Sequence, residues 1–256
     1  MQFLNPLKKV KGSLYNRMNL QKDQKLILAV IPARGGSKEL KRKSLLKINN
    51  KSLISYAIKS SLSSKYINRT IFSSDDDEMI LEAKKNGAEV LFKRPNRLAT
   101  DSANTWAVVN HAVKWLEEKE KWFPDYIILL QPTTPFRNSK HIDSAFKKMF
   151  KEKRTSCISL KEVDYPPQWM FKIKNQSLEK LFKGKNISRR QDAEKIYQPN
   201  GMIYILHKKH LDEKIIFPKK DTCHIKMSQD VSINIDTEIQ YQLAKTIAEK
   251  NVQKKK

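Results

Sequence analysis

The sequence predicts an α/β sandwich with a mostly parallel central sheet. The prediction rests on short wholly apolar runs, on amphipathic segments at helical spacing between them, and on polar strings rich in glycine or proline directly after the runs. In open α/β sheets, ligands sit beyond the carboxyl ends of the strands, so those strings are where a site belongs.

Leu26 to Ile31 is apolar throughout, as a strand buried on both faces must be, and it runs into Pro32-Ala33-Arg34-Gly35-Gly36. From Ser52 to Ser64, the residues Leu53, Ile54, Ala57, Ile58 and Leu62 recur at helical spacing, and Thr70 to Ser73 is a second strand ending in Ser74-Asp75. A helix over Asp76 to Asn86 stops at Gly87, a strand follows over Ala88 to Phe92, and a helix over Ala103 to Lys119 turns Trp106, Val109, Val113 and Leu116 inward. Tyr126 to Leu130 is a further buried strand, ended by the prolines of Gln131-Pro132-Thr133-Thr134-Pro135, and Ser139 to Phe150 is a helix. Asp164 to Gln198 shows no period, which predicts an inserted lobe or flap over about 160–198 that closes on a substrate or reaches a second copy. Gly201 to Leu206 and Val231 to Ile235 are strand-like, and Thr237 to Lys250 is an amphipathic helix using Ile239, Leu243 and Ile247. Residues 1–24 read as a flexible basic extension and 251–256 as a basic tail, leaving one main domain over 25–250.

Composition bounds the function. With 39% hydrophobic and 30% charged residues the chain is of globular type, and its longest apolar runs are too short to span a bilayer. No apolar segment follows the N-terminal Lys8, Lys9 and Lys11, so the chain is assigned to the cytoplasm, a compartment that suits two lone thiols, Cys157 and Cys223. The net charge of +24 is the profile of many nucleic-acid binders, but the lysines are spread over nearly every segment, and a lysine-heavy compositional habit with an acidic small substrate accounts for them about as well.

The first loop carries the chemistry. Gly35-Gly36 lets the backbone turn its N–H groups toward an anion, and Arg34, Lys38, Lys41, Arg42 and Lys43 add fixed positive charge, an arrangement suited to a polyphosphate. The string is neither a P-loop nor a dinucleotide fingerprint. His207-x-x-His210 with Cys223-His224 lacks zinc-site spacing, and Ser37 lies in no nucleophile elbow.

Ile31-Pro32-Ala33-Arg34-Gly35-Gly36-Ser37-Lys38 with Lys43 resembles the signature of the acylneuraminate (CMP-sialic acid type) cytidylyltransferases. Leu130 to Arg137, Pro199-Asn200-Gly201-Met202-Ile203-Tyr204 and Ser232-Ile233-Asn234-Ile235-Asp236-Thr237-Glu238 are similar to further motifs of that family, in its order, across about residues 25 to 250. The resemblance implies a Rossmann-like three-layer nucleotide-diphospho-sugar transferase fold and a homodimer. It also implies a Mg²⁺-dependent attack by the anomeric hydroxyl of a nonulosonic acid on the α-phosphorus of CTP, for surface glycan synthesis. By family position, Arg34, Lys38 and Lys43 contact phosphate as catalytic residues. Ala33, Gly35, Gly36, Ser37, Ser44, Arg94, Ala103 and Thr105 bind CTP, while Gln131, Arg190, Asn200 and Tyr204 hold the sugar, Arg190 by a bidentate grip on its carboxylate.

Departures from the family pattern concern both ends of the site. Where the family pairs aspartates for the metal, this chain has Asn234 and Asp236, and Glu39, Ser44 and Gln198 replace a Gly, an Asn and a frequent basic residue. The competing readings are a catalytically weakened nucleotide-binding relative, a basic nucleic-acid-binding protein and, among enzymes, a Kdo cytidylyltransferase.

Overall fold

The computed structural model describes residues 25–36, 39–182, 187–212 and 217–253. Strand β1 (Ile27–Pro32) is the heart of a six-stranded sheet. It pairs in parallel with β4 (Arg69–Ser73) on one side and β5 (Tyr126–Leu129) on the other. Beyond β5 come β9 (Tyr197–His207), β6 (Ser156–Glu162) and the edge strand β10 (Thr222–Lys226), in the order β10-β6-β9-β5-β1-β4. Strand β9 alone runs against its neighbours, antiparallel to both β5 and β6, while β10 pairs with β6 in parallel.

The apolar runs of β1 and β5 are explained by two cores, since successive side chains of a strand point to opposite faces. Ile27, Ala29 and Ile31 with Tyr126 and Ile128 pack under helices α1 (Leu53–Leu62), α2 (Asp77–Lys85) and α4 (Ser139–Lys151). Leu28, Val30, Ile127 and Leu129 pack instead against α3 (Thr105–Trp115), through Val109, Ala112 and Val113. The result is the predicted three-layer arrangement, helices on both faces of a mostly parallel sheet. Local caps fix the helix starts: the side chains of Ser52, Asp76, Asn104 and Asn138 each accept a hydrogen bond from a first-turn N–H. Two short hairpins complete the strands, β2 (Lys47–Ile48) with β3 (Lys51–Ser52) and β7 (Phe171–Lys174) with β8 (Ser177–Lys180).

Four expectations change. Ala88 to Phe92 is reduced to a single bridge, Ile71 to Glu89, because Arg94 then turns its N–H to the Ser74 carbonyl and leads the chain away. Val231 to Ile235 joins no sheet; Ile235 donates its N–H to the Thr133 carbonyl, and Ile233 and Ile235 fill a third core with Ile48 and Leu53. Helix α5 (Glu238–Gln253) covers that core with Ala244 and Ala248, whereas Ile239 and Leu243 face outward at 81% and 49% exposure. The small side chains allow the close approach. The helix also carries on through the start of the predicted tail. Residues 1–24 and 254–256 lie outside the described residues.

The segment without period contains the β7–β8 hairpin, whose eight strand residues are all exposed. Strands β6 and β10, which the apolar pattern did not mark, bring Cys157 and Cys223 into register as buried free thiols. The hydrogen bond between the sulfurs, with burial second, pushes the Cys157 thiol up.

Candidate functional site

Parallel pairing sends the carboxyl ends of β1, β4 and β5 to one edge of the sheet, and the strings that follow them meet there. A cavity of about 310 Å³ opens between them, lined by Ala33, Arg34, Lys43, Ser44, Arg94, Ala103, Thr105, Gln131, Asn234 and Asp236 among others. Of the predicted phosphate and cytidine residues, Gly35 and Gly36 stand outside this lining, and Ser37 and Lys38 lie outside the described residues.

Each wall is held by its own chemistry. Arg34 pairs with Asp101, a residue the motif reading passed over although it stands in the stretch between Arg94 and Thr105. Gly35 donates its N–H to Asp75 Oδ1 at 3.3 Å, and a Cβ at Gly35 would come within 2.8 Å of Asp76 Oδ2, so only glycine lets the loop pass this close. Arg94 is not a surface cation. It is buried and donates to Ser73 Oγ at 3.2 Å and to the carbonyls of Ala33 and Ser73, tying the ends of β1 and β4 together. Burial pushes its guanidinium down to about 10. Arg137, fully enclosed, does the same behind Gln131: it donates to Thr134 Oγ1 at 2.9 Å and the Met202 carbonyl at 2.8 Å, and burial pushes it down to about 9.

A second cavity of about 640 Å³ adjoins the first, and Gln131 and Asn234 belong to the linings of both. Asn200 and Tyr204 line it with Gly201. The Pro-Asn-Gly-Met-Ile-Tyr string proves to be an irregularity in β9, where the register against β6 jumps from Ile158 with Tyr204 to Leu160 with Pro199. Ser159 Oγ stitches it, donating to Asn200 Oδ1 at 2.6 Å and accepting from the Ile203 N–H at 2.8 Å. Gly201 has φ +77, the left-handed region that favours glycine, and a Cβ there would meet Gln131 Oε1 at 2.8 Å and push that side chain aside. Asn200 is buried and donates to Ser232 Oγ at 2.9 Å, so its amide fixes the wall of the cavity. Tyr204 packs edge-on to Trp106, and burial pushes its phenol up.

Arg190 is not brought into this cavity. It is exposed and lines a separate depression with Glu162, Pro166 and Glu194. The predicted group Gln131, Asn200 and Tyr204 is therefore assembled without it.

In the wall of the first cavity, Lys43 Nζ donates to Asp236 Oδ1 at 2.6 Å, and Asn234 Nδ2, from a residue both cavities share, donates to Asp236 Oδ2. Asn234 Oδ1 is buried without a hydrogen-bond partner. A triphosphate-bound Mg²⁺ takes one or two carboxylates beside phosphate and water oxygens. The residues present fit such an ion through the Asp236 carboxylate; Asn234 presents its N–H groups on that side and its carbonyl away from it. Among the described residues no cluster of three or more His, Cys, Asp and Glu forms a metal site of its own, and no helix is long and apolar enough to cross a membrane.

Comparison with known proteins agrees with this geometry. Residues 28–255 match the family model described as cytidylyltransferase. The chain is 32% identical to the N-acylneuraminate cytidylyltransferase of Escherichia coli over 90% of its own length, spanning 54% of that protein. It is 32% identical to the pseudaminic acid cytidylyltransferase of Campylobacter jejuni, with 88% of this chain and 97% of the relative covered. It is equally 32% identical to the CMP-N,N'-diacetyllegionaminic acid synthase of Legionella pneumophila, with 88% and 97% covered. Among solved structures, a CMP:2-keto-3-deoxy-manno-octonic acid synthetase complexed with CTP shares the fold at TM-score 0.65 and 15% identity, over 88% of this chain and 99% of the other. A 4-diphosphocytidyl-2C-methyl-D-erythritol synthase from Anaerococcus prevotii does so at TM-score 0.62 and 12% identity, over 89% and 97%. With a family match across nearly the whole described fold and a phosphate-type loop at the carboxyl edge of its sheet, the chain belongs to the cytidylyltransferase family and is a nucleotidyltransferase.

Proposed function

We propose that the protein transfers CMP from CTP to the anomeric hydroxyl of a nonulosonic acid and releases pyrophosphate. The observation that carries this reading is the pair of adjoining cavities sharing Gln131 and Asn234, a division suited to a nucleotide on one side and an acceptor on the other. The relatives named for N-acylneuraminate, pseudaminic acid and diacetyllegionaminic acid supply the acceptor class.

Phosphoryl-type displacement asks a protein for alignment and charge neutralisation more than for covalent help. Arg34 and Lys43, with Lys38, Gly35, Gly36 and Ser37 of the same loop, take the triphosphate. Ser44, Ala103 and Thr105 line the nucleotide side, and Arg94 holds their floor rigid. Gln131, Asn200 and Tyr204 shape the acceptor side so that the attacking oxygen faces the α-phosphorus. Asp236 would hold a Mg²⁺ ion, which when bound supplies further neutralisation of the phosphates. The hairpin β7–β8 presents Phe171, Ile173 and Leu178 at 51%, 80% and 69% exposure, an apolar surface that supports assembly as a homodimer. The product is an activated sugar acid for surface glycan synthesis.

Pyrophosphate release is the direct test, with CTP, UTP, ATP and GTP each offered with N-acetylneuraminic, pseudaminic, legionaminic and Kdo acceptors. CTP with a nine-carbon acid is the productive pair. Turnover with Kdo alone would transfer the enzyme to the shorter acid, and no turnover with any pair would refute the transferase assignment for these acids.

A further inference from the structure

Among the described residues, the acceptor cavity has one cationic side chain in its lining, Lys161, along with two acids, Asp164 and Asp230. A sugar acid is an anion at neutral pH, and moving it into a pocket already lined by two acids requires a compensating charge there. Lys161 is placed to provide it. It stands near the carboxyl end of β6 opposite Gln198 of β9, on the sheet and not on a loop, one step along the strand from the irregularity that carries Asn200 and Gly201. It makes no ion pair among the described residues, so its ammonium is not already spent.

The neighbouring residue on the strand excludes the obvious rival. Side chains alternate along a strand, and Glu162 lines the depression that holds Arg190 while Lys161 lines the acceptor cavity. Within one chain the two cations therefore line different cavities. We propose that Lys161 is the residue that binds the carboxylate of the acceptor sugar acid, and so determines that the enzyme takes an acid and not a neutral sugar. This rests on reading the second cavity as the acceptor site. The contact is a charge-assisted hydrogen bond from Nζ to a carboxylate oxygen, a point charge without the bidentate fork that an arginine would offer.

The experiment compares wild type, K161M, K161R and R190M in pyrophosphate release at saturating CTP with the acid varied, and repeats it with the methyl ester of the same acid. Loss of one charge-assisted hydrogen bond predicts that K161M raises the KM for the acid by about 10- to 100-fold. K161R should recover most of it, R190M should stay near wild type, and in a second series with CTP varied at saturating acid the KM for CTP should not move in any of them. With the ester, wild type should fall to the level of K161M, and K161M should lose little more. An unchanged acid KM in K161M beside an active wild type overturns the role of Lys161, as does a rise in R190M in its place or an ester that discriminates equally against both proteins. A wild type that releases no pyrophosphate with any of the acids overturns the transferase reading itself, and this inference with it.

Discussion

At the scale of single residues, Arg94 and Asn234 show how the same motif positions acquire different duties. The guanidinium of Arg94 is consumed by Ser73 and the Ala33 carbonyl, so R94M would strand several buried acceptors. The expected loss is about 3 kcal/mol of unfolding free energy by urea titration, in line with removing one partner of a buried charged hydrogen-bond set. A variant as stable as wild type but deficient in CTP binding would return Arg94 to a direct nucleotide contact. For Asn234, replacement by aspartate sets two carboxylates side by side where an amide now donates to one. N234D should melt lower than wild type in EDTA, through like-charge repulsion, and reach half-maximal rate at roughly tenfold less Mg²⁺, through the added hard oxygen donor. Identical Mg²⁺ curves for the two proteins would contradict this. The motif strings were legible because they are local. The duty of Arg94 was not, since its acceptors lie 21 and 61 residues away.

At the scale of elements, what was legible depended on whether a neighbour was needed. Strands β1 and β5 announced themselves because both faces are buried, so every residue is apolar. Strand β6 did not, because Ser156 and Ser159 interrupt its apolar residues to bond within the sheet, and β10 lies at an edge. Val231 to Ile235 has the composition of a strand but finds the third core and not a strand partner, and α5 hides its contact face behind two alanines. Arg190 rests on family position, and a position in a flap cannot say which cavity its side chain comes to line. The β7–β8 hairpin is the element with the clearest physical consequence. Ile173 and Leu178 are directly opposed across it and exposed together. The double variant I173D/L178D should shift a dimer to monomer in light scattering at micromolar concentration while leaving the melting temperature nearly unchanged. A wild type that is already monomeric there would remove the hairpin from that role.

At the scale of the whole molecule, burial sets a pH limit on stability. His111, His141, His207 and His224 are each pushed below their ordinary value of 6.5, foremost by loss of hydration. In the unfolded chain they regain ordinary affinity for protons, so the unfolded state binds protons first as pH falls through 6.5. Stability is complete above that value and is lost below it, and the melting temperature should be lower near about pH 5.5 than near about pH 7.5. An equal or higher melting temperature in acid would show that the imidazoles are not the limiting groups. The three-layer architecture itself could be read from the sequence, because alternating apolar runs and amphipathic helices admit few packings. One contact sets the order in which this architecture becomes useful. Lys43 and Asp236 are 193 positions apart in the chain and meet in the wall of the nucleotide cavity. During synthesis, β1 and its loop leave the ribosome long before their counterpart exists. The growing polypeptide therefore carries an unfinished phosphate cradle until translation is nearly over, and a chain cut short before Asn234 would lack a side chain that both cavities share and the carboxylate that meets Lys43.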